Sequence, residues 1–270
     1  METIQTKALV LKTCNMNDND KLITFFSVEY GRITAIAKGV RSHKHKDFSA
    51  LQQFCYSDVV LNCKQGGLYT VASAQVINNF FNLRNDVTKV AFASYYMDVV
   101  ADVAQDATGD EDYFSFVLNT LYLTENADNK GQDDITSKLK KLKMIFEIKT
   151  VCQMGVMPTV ARCVCCGRDK KLDYFSSVDS GAVCADCIGR YSGSAKLPYA
   201  VNETVLKVIN YVMSSDNRKV FNFSVTEELL NVLCTISENY LISQTDTFYK
   251  SLSFLHKLLV GMKENGSENS

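Results

Sequence analysis

KLITFFSVEYGRITAIAKGVR, residues 21–41, is the stretch that decides how this sequence folds. Two runs of β-branched and aromatic residues flank Glu29-Tyr30-Gly31, the pattern of a hairpin. In the second run Ile33, Ala35 and Ala37 share one face, while Arg32, Thr34, Ile36 and Lys38 share the other. A period of two with one apolar face predicts a strand that covers a core. Three similar runs lie outside this stretch. Strands are thus expected at 5–13 (QTKALVLKT), 21–28, 32–38, 55–63 (CYSDVVLNC) and 68–77 (LYTVASAQVI), with Gln65-Gly66-Gly67 joining the last two. Five short strands with one polar face predict a small barrel of the OB type, with an open five-stranded sheet as the competing arrangement.

After Asn85 the period becomes helical. Val87, Val90, Ala91, Ser94, Tyr95, Asp98, Val99 and Val103 form one stripe, and Phe114, Val117, Leu118, Leu121 and Tyr122 form the next. A third helix is expected over 134–154, with Ile135, Leu139, Leu142, Ile145, Phe146 and Ile148 inward and Gly155 as its C-terminal cap. Helical spacing resumes after Pro198 at Val205, Val208, Ile209 and Val212. Ser224 to Glu227 reads as a capping box for a helix through Leu241, and a last helix is expected near 248–262.

These elements predict an α+β multidomain chain of 270 residues. Residues 1–80 form the OB-type barrel, 81–157 a helical domain, 158–198 a zinc-ribbon-like insertion, 199–262 the second part of the helical domain and 263–270 a flexible tail. No charge-free apolar run approaches the ~20 residues that cross a bilayer. Glu2, Lys7 and Lys12 interrupt the N-terminal apolar residues, so no signal peptide is expected and the chain is placed in the cytosol. Ten cysteines in a reducing compartment predict metal ligands or buried thiols, not a disulfide framework.

Cys163 and Cys166, then Cys184 and Cys187, form two C-x2-C pairs with a 17-residue spacer, the spacing of a four-thiolate zinc site. Two residues between ligands let the chain reverse in a tight knuckle that aims both sulfurs at one ion. The intervening 172–175 and 181–183 read as hairpin arms. Cys165 lies between the first two ligands and is a competing thiol, although only the 163/166 pair has knuckle spacing. Four thiolates close the coordination sphere, so the expected zinc is structural. A redox dithiol is the other reading of C-x2-C, although two matched pairs argue against it.

Arg32, Lys38, Arg41, Lys44 and Lys46 fall in a stretch that also holds His43 and His45 and no carboxylate. The formal net charge of -1 is therefore no argument against nucleic acid, because binding follows the local field. Such a loop on a barrel suits a phosphate backbone, with Phe48, Phe54 and Tyr56 near enough in sequence to stack on bases. Lys138, Lys140, Lys141 and Lys143 read as a solvated helix face. There is no G-x-x-x-x-G-K-[ST], G-x-S-x-G or H-E-x-x-H, and three histidines leave little for a His-built centre, so a binding protein is expected over an enzyme.

KALVLKT (7–13) and DKLITFFSVEYGRITAIAKGVR (20–41) resemble the N-terminal domain of the bacterial RecO recombination mediators, at Tyr30-Gly31, Lys38-Gly39 and Arg41 in particular. Leu51-Gln52, the strand from Asp58 to Leu61, the paired cysteines with their CCG and the closing FYKSLSFLHKLL (248–259) extend the resemblance over nearly the whole chain. It departs at Asn15-Met16-Asn17-Asp18-Asn19, where the family usually carries an aromatic residue and a Glu; members also differ in keeping the four cysteines. The resemblance implies a protein that binds single- and double-stranded DNA, anneals complementary strands and contacts the C-terminal tail of single-strand-binding protein. With RecR it would help load RecA, without ATP. A zinc-ribbon and OB interaction protein that binds RNA or another protein is the alternative.

Overall fold

The computed structural model describes residues 2–42, 44–63, 68–128, 134–193 and 196–267. In chain order the elements are β1 (Glu2–Asn15), β2 (Lys21–Ser27), β3 (Gly31–Ala37), β4 (Tyr56–Cys63), β5 (Tyr69–Asn78), α1 (Val87–Val103), α2 (Glu111–Glu125) and α3 (Ile135–Gln153). There follow β6 (Leu172–Ser176), β7 (Gly181–Cys184), β8 (Tyr199–Ala200), α4 (Glu203–Ser214), α5 (Glu227–Thr245) and α6 (Lys250–Ser267). They divide into two compact units, residues 1–126 with 249–270, and residues 127–248. The last helix thus belongs with the N-terminal strands, and it continues through Ser267, into the segment read as a tail.

In the first unit five strands pair in the order β1-β2-β3-β5-β4, and β4 returns to β1 in an antiparallel ladder from Glu2↔Cys63 to Leu9↔Tyr56. The sheet therefore closes on itself and is not open. Its interior is Ile4, Ala8, Val10, Ile23, Phe25, Ile33, Ala35, Ala37, Val59 and Leu61, alternate residues of β1 to β4, with Tyr69, Val71 and Ala74 of β5 partly buried against them. The Gln65-Gly66-Gly67 turn lies outside the described residues, while the antiparallel pairing of β4 with β5 that it would join is present.

Leu9 and Leu11 on the opposite face of β1 are also fully buried, because α1 packs there. On β2 the outward Phe26 packs edge-on against Tyr113 and at a tilt against Phe114 of α2, with ring centroids 5.8 and 5.3 Å away. The sheet is thus covered by helices on part of its outer surface. The expected stripe on α1 is too narrow. Phe92, Tyr96, Met97 and Val100 are buried as well as Tyr95 and Val99, since α1 is enclosed by β1, α2 and α6. Val87 and Tyr122, counted as core positions, are exposed. Asp98 holds β1 and α6 to this helix by accepting from Lys12 Nζ (2.9 Å) and Ser251 Oγ (2.6 Å).

In the second unit α3 packs on α4 and α5 and is buried continuously from Leu142 to Val151. Its end is the expected glycine cap: Gly155 has φ +77°, and the N–H groups of Gly155 and Val156 bond the carbonyls of Cys152 and Val151. The lysine cluster is not a solvated face. Lys143 is buried, and Lys141 donates to the Phe223 carbonyl at 2.9 Å. Helix α5 is capped by Thr226, whose side chain accepts the Leu229 N–H at 3.4 Å, so the cap is two residues later than the Ser224 box. β6, β7 and β8 form a small sheet in the order β7-β6-β8, anchored by Phe175 stacking edge-on against Tyr240 of α5 at 5.7 Å.

Candidate metal centre and nucleic-acid interface

Each C-x2-C pair folds as a knuckle closed by its own backbone. Gly167 at φ +75° reverses the first, where Gly167 N–H bonds the Cys163 carbonyl at 2.8 Å and Cys163 N–H bonds the Arg168 carbonyl at 2.7 Å. In the second, Cys187 N–H bonds the Cys184 carbonyl at 2.9 Å. The β6–β7 hairpin brings the knuckles together, and the sulfurs of Cys163, Cys166, Cys184 and Cys187 all lie within 4.8 Å of one another. An ion ~2.3 Å from four tetrahedral sulfurs sets sulfur–sulfur edges of about 3.8 Å; Cys166 and Cys184 are 3.7 Å apart. The site can hold a metal ion. Cys165 lies outside this group, with its sulfur 3.4 Å from Tyr191 Oη.

The donor set is split: the first knuckle favours ionised thiols, while burial holds those of the second, Cys184 and Cys187, above the ordinary range. Burial pushes Cys163 up, but the N–H groups of Cys184, Cys165 and Cys166 converge on its sulfur and bring it down to about 6. The Arg168 N–H and guanidinium hold Cys166 below the ordinary thiol range. Burial and the neighbouring thiols push Cys187 up to about 12. Four facing thiols cannot all ionise without a cation between them, which is the fit a metal ion would complete.

Lys38, Arg41, Lys44 and Lys46 are exposed on the connection from β3 to β4. The β1–β2 turn pins this loop: Asp20 Oδ1 accepts the Gly39 N–H at 2.8 Å, and Arg41 bonds the carbonyls of Asn19 (3.1 Å) and Asn17 (2.5 Å). Buried Asp47 accepts the Ala74 N–H at 3.2 Å and ties the loop's other end to β5. Phe48 is half-buried, with Lys21 Nζ 5.7 Å from its ring centroid. Phe54 is buried and Tyr56 packs on Phe114 at 5.7 Å, so neither offers a free ring to a base. His43 lies outside the described residues.

Residues 1–80 match the family model described as recombination protein O N terminal, and residues 84–253 match that described as recombination protein O C terminal. This chain belongs to the RecO family of DNA repair proteins. It is similar to the DNA repair protein RecO of Acetivibrio thermocellus, 32% identical over 259 residues that cover 96% of this chain and 98% of that protein. The DNA repair protein RecO of Alkaliphilus metalliredigens is 29% identical over 94% of this chain and 99% of its own length.

The Asn15–Asn19 turn is held by its own side chains. Asn17 Oδ1 accepts the N–H groups of Asn19 (3.0 Å) and Asp20 (2.7 Å), and its Nδ2 donates to Asp20 Oδ2 (3.0 Å), which orients the carboxylate whose other oxygen braces Gly39. Tyr30-Gly31, part of the RecO resemblance, has a steric basis. Gly31 has φ +62°, and a Cβ there would fall on the carbonyl oxygens of Gln105 and Thr108; a Cβ on Gly109 would fall on the carbonyls of Val28 and Glu29. Sequence reading gave no sign of this mutual approach, because it joins residues far apart in the chain.

The same approach accounts for Arg32, which was grouped with the loop cations. Its Nε donates to Asp106 Oδ1 at 2.8 Å and its Nη1 to the Ala101 carbonyl at 2.7 Å, so its charge is engaged inside the fold. Arg32→Ala is expected to cost about 1.5 kcal/mol, the low end for a charged hydrogen bond, because Asp106 is exposed. The Arg32 hydrogen bond lowers the Asp106 pKa. The difference between wild type and variant should therefore be complete above the unfolded carboxyl pKa of about 3.9 and fade as pH falls through the lowered folded value. Thermal melts from pH 3 to 7 check this, and a pH-independent difference would remove Asp106 from the account.

Proposed function

We propose that this RecO-family protein is a DNA-binding mediator of recombinational repair and not an enzyme. In this reading the closed five-stranded sheet is an OB-type barrel, and its pinned β3–β4 loop holds the phosphate backbone of single- and double-stranded DNA. The observation that carries it is the exposure of Lys38, Arg41, Lys44 and Lys46 on one braced loop. Annealing requires two polyanions to remain close long enough to pair, and loop cations lower their repulsion. The family resemblance adds RecR, the tail of single-strand-binding protein and RecA loading. The four-thiolate site is read as structural zinc, since soft thiolates in a closed tetrahedral set favour that ion.

Replacing Lys38, Arg41 and Lys44 with Ala is expected to weaken DNA binding uniformly across sequences. The slope of log affinity against log salt should flatten by about 2 to 3 units, at about 0.7–0.9 per phosphate contact. Fold stability should change little: all three are exposed, and although Arg41→Ala gives up the solvent-exposed bond to the Asn17 carbonyl, the loop keeps its backbone pins at Gly39, Arg41 and Asp47. A gel-shift salt titration paired with a melt checks both. A variant with wild-type affinity and slope would remove the loop from the DNA interface. Wild-type protein that binds no DNA and anneals no strands would overturn the reading as a whole.

A further inference from the structure

The four-sulfur site has one open edge. Cys163, Cys184 and Cys187 are buried, whereas Cys166 is exposed. Two residues on, the Arg168 guanidinium bonds the Cys166 sulfur, and its Nη1 donates to Asp186 Oδ2 at 2.8 Å. Arg168 belongs to the first knuckle, where its carbonyl accepts the Cys163 N–H. Asp186 lies in the second knuckle, between Cys184 and Cys187. The ion pair therefore ties one knuckle to the other at the edge where a ligand meets solvent.

With side chains 61% and 51% exposed, this pair adds little to stability by itself. Its placement gives it a different consequence. Four thiolates around a divalent ion carry an excess of about two negative charges. A guanidinium beside the exposed sulfur offsets that charge where water, protons and competing chelators approach. It also fixes the ligand's orientation, as outer-shell donors do in metal sites generally. Asp186 keeps the guanidinium there instead of letting it swing into solvent.

We propose that Arg168, held by Asp186, is a clasp that slows escape of the metal through the Cys166 edge. It acts as a positioning residue of the metal centre and is not itself a ligand. This rests on the reading of the four cysteines as a zinc site.

The test uses the full chain loaded with zinc and follows release to a chromogenic chelator. In parallel, alkylation of each cysteine is mapped by mass spectrometry. Arg168→Ala is expected to weaken zinc retention by about 10- to 100-fold, the usual loss for an outer-shell partner. Asp186→Asn should move it in the same direction by less. Arg168→Lys should recover only part, because an ammonium keeps the charge without the planar fork. Lys170→Ala removes an exposed charge of the same module and should release zinc at the wild-type rate. Alkylation should rise at Cys166 before Cys163, Cys184 or Cys187, whereas general loosening would expose all four together. If Arg168→Ala does not load zinc, Asp186→Asn carries the same comparison. Release and labelling that match wild type, or four cysteines labelled in step, overturn the clasp while leaving the zinc site standing. A wild-type protein that holds no zinc overturns both.

Discussion

Cys184→Ser is expected to strip the metal and melt the segment 158–198 before the rest of its unit. The reason lies in what that segment has for a core. Cys163, Val183, Cys184 and Cys187 are the buried centre of its knuckle end, with Val164, Cys165, Leu172, Tyr174 and Tyr191 packed partly around them, while Phe175 is buried separately against α5. Its hairpin strands β6 and β7 have 5 and 4 residues, and an isolated hairpin of that size is marginal in water. Metal binding to a structural zinc site contributes about 10–16 kcal/mol of apparent free energy at neutral pH, which is folding free energy for such a module. A hydroxyl cannot replace the thiolate. Cys165→Ser is the matched control, since that sulfur faces Tyr191 and should leave the metal in place. Elemental analysis should find about one zinc per wild-type chain, the content of one closed tetrathiolate site. Hydrogen exchange should then show protection lost in the knuckles of Cys184→Ser, with the α3 and α5 amides retained. A Cys184→Ser protein with full zinc and unchanged exchange would overturn the assignment.

The parts of the fold that were legible in the sequence are those whose determinants are local. Period-two alternation placed Ile33, Ala35 and Ala37 inside the sheet, and the Gly155 cap followed from one residue's freedom at positive φ. Knuckle spacing is a local ligand constraint, so the two C-x2-C pairs could be read as one set before their sulfurs were seen together. Long-range determinants were not legible. Arg32 looks like a loop cation until Asp106, 74 residues later, is seen beside it. The one-sided stripes drawn on α1 and α3 assume that each helix has a solvent face, and enclosure removes it over most of α1 and from Leu142 to Val151 of α3. An aromatic near a basic loop is equally ambiguous: Phe48 is half-buried while Phe54 belongs to the core.

Lys143→Met is expected to destabilise the second unit by about 3–5 kcal/mol, the range for breaking a buried ion pair from one side. Lys143 Nζ lies 2.7 Å from both Glu147 Oε1 and Glu238 Oε2, and Ser237 Oγ donates to Glu147 Oε2 at 2.7 Å. Glu147 is fully buried, so removal of the ammonium leaves its charge in a poorly solvating site. In wild type, burial already raises the Glu147 pKa against the opposing pull of Lys143. Without Lys143 that rise should grow. A group whose folded pKa is raised gives its full stability below its unfolded value, near 4.3 for Glu, and loses it as pH rises through the folded value. The deficit of Lys143→Met should therefore be smaller at pH 5 than at pH 8. Lys143→Met with Glu147→Leu removes both charges of the fully buried pair and should recover part of the loss, because apolar replacements of similar size are often neutral while Glu238, left charged, keeps some access to water. Urea melts of the wild type, both single variants and the double variant measure that coupling directly. Additive losses would mean that each side chain acts through its own packing, and that the 2.7 Å contacts contribute nothing jointly.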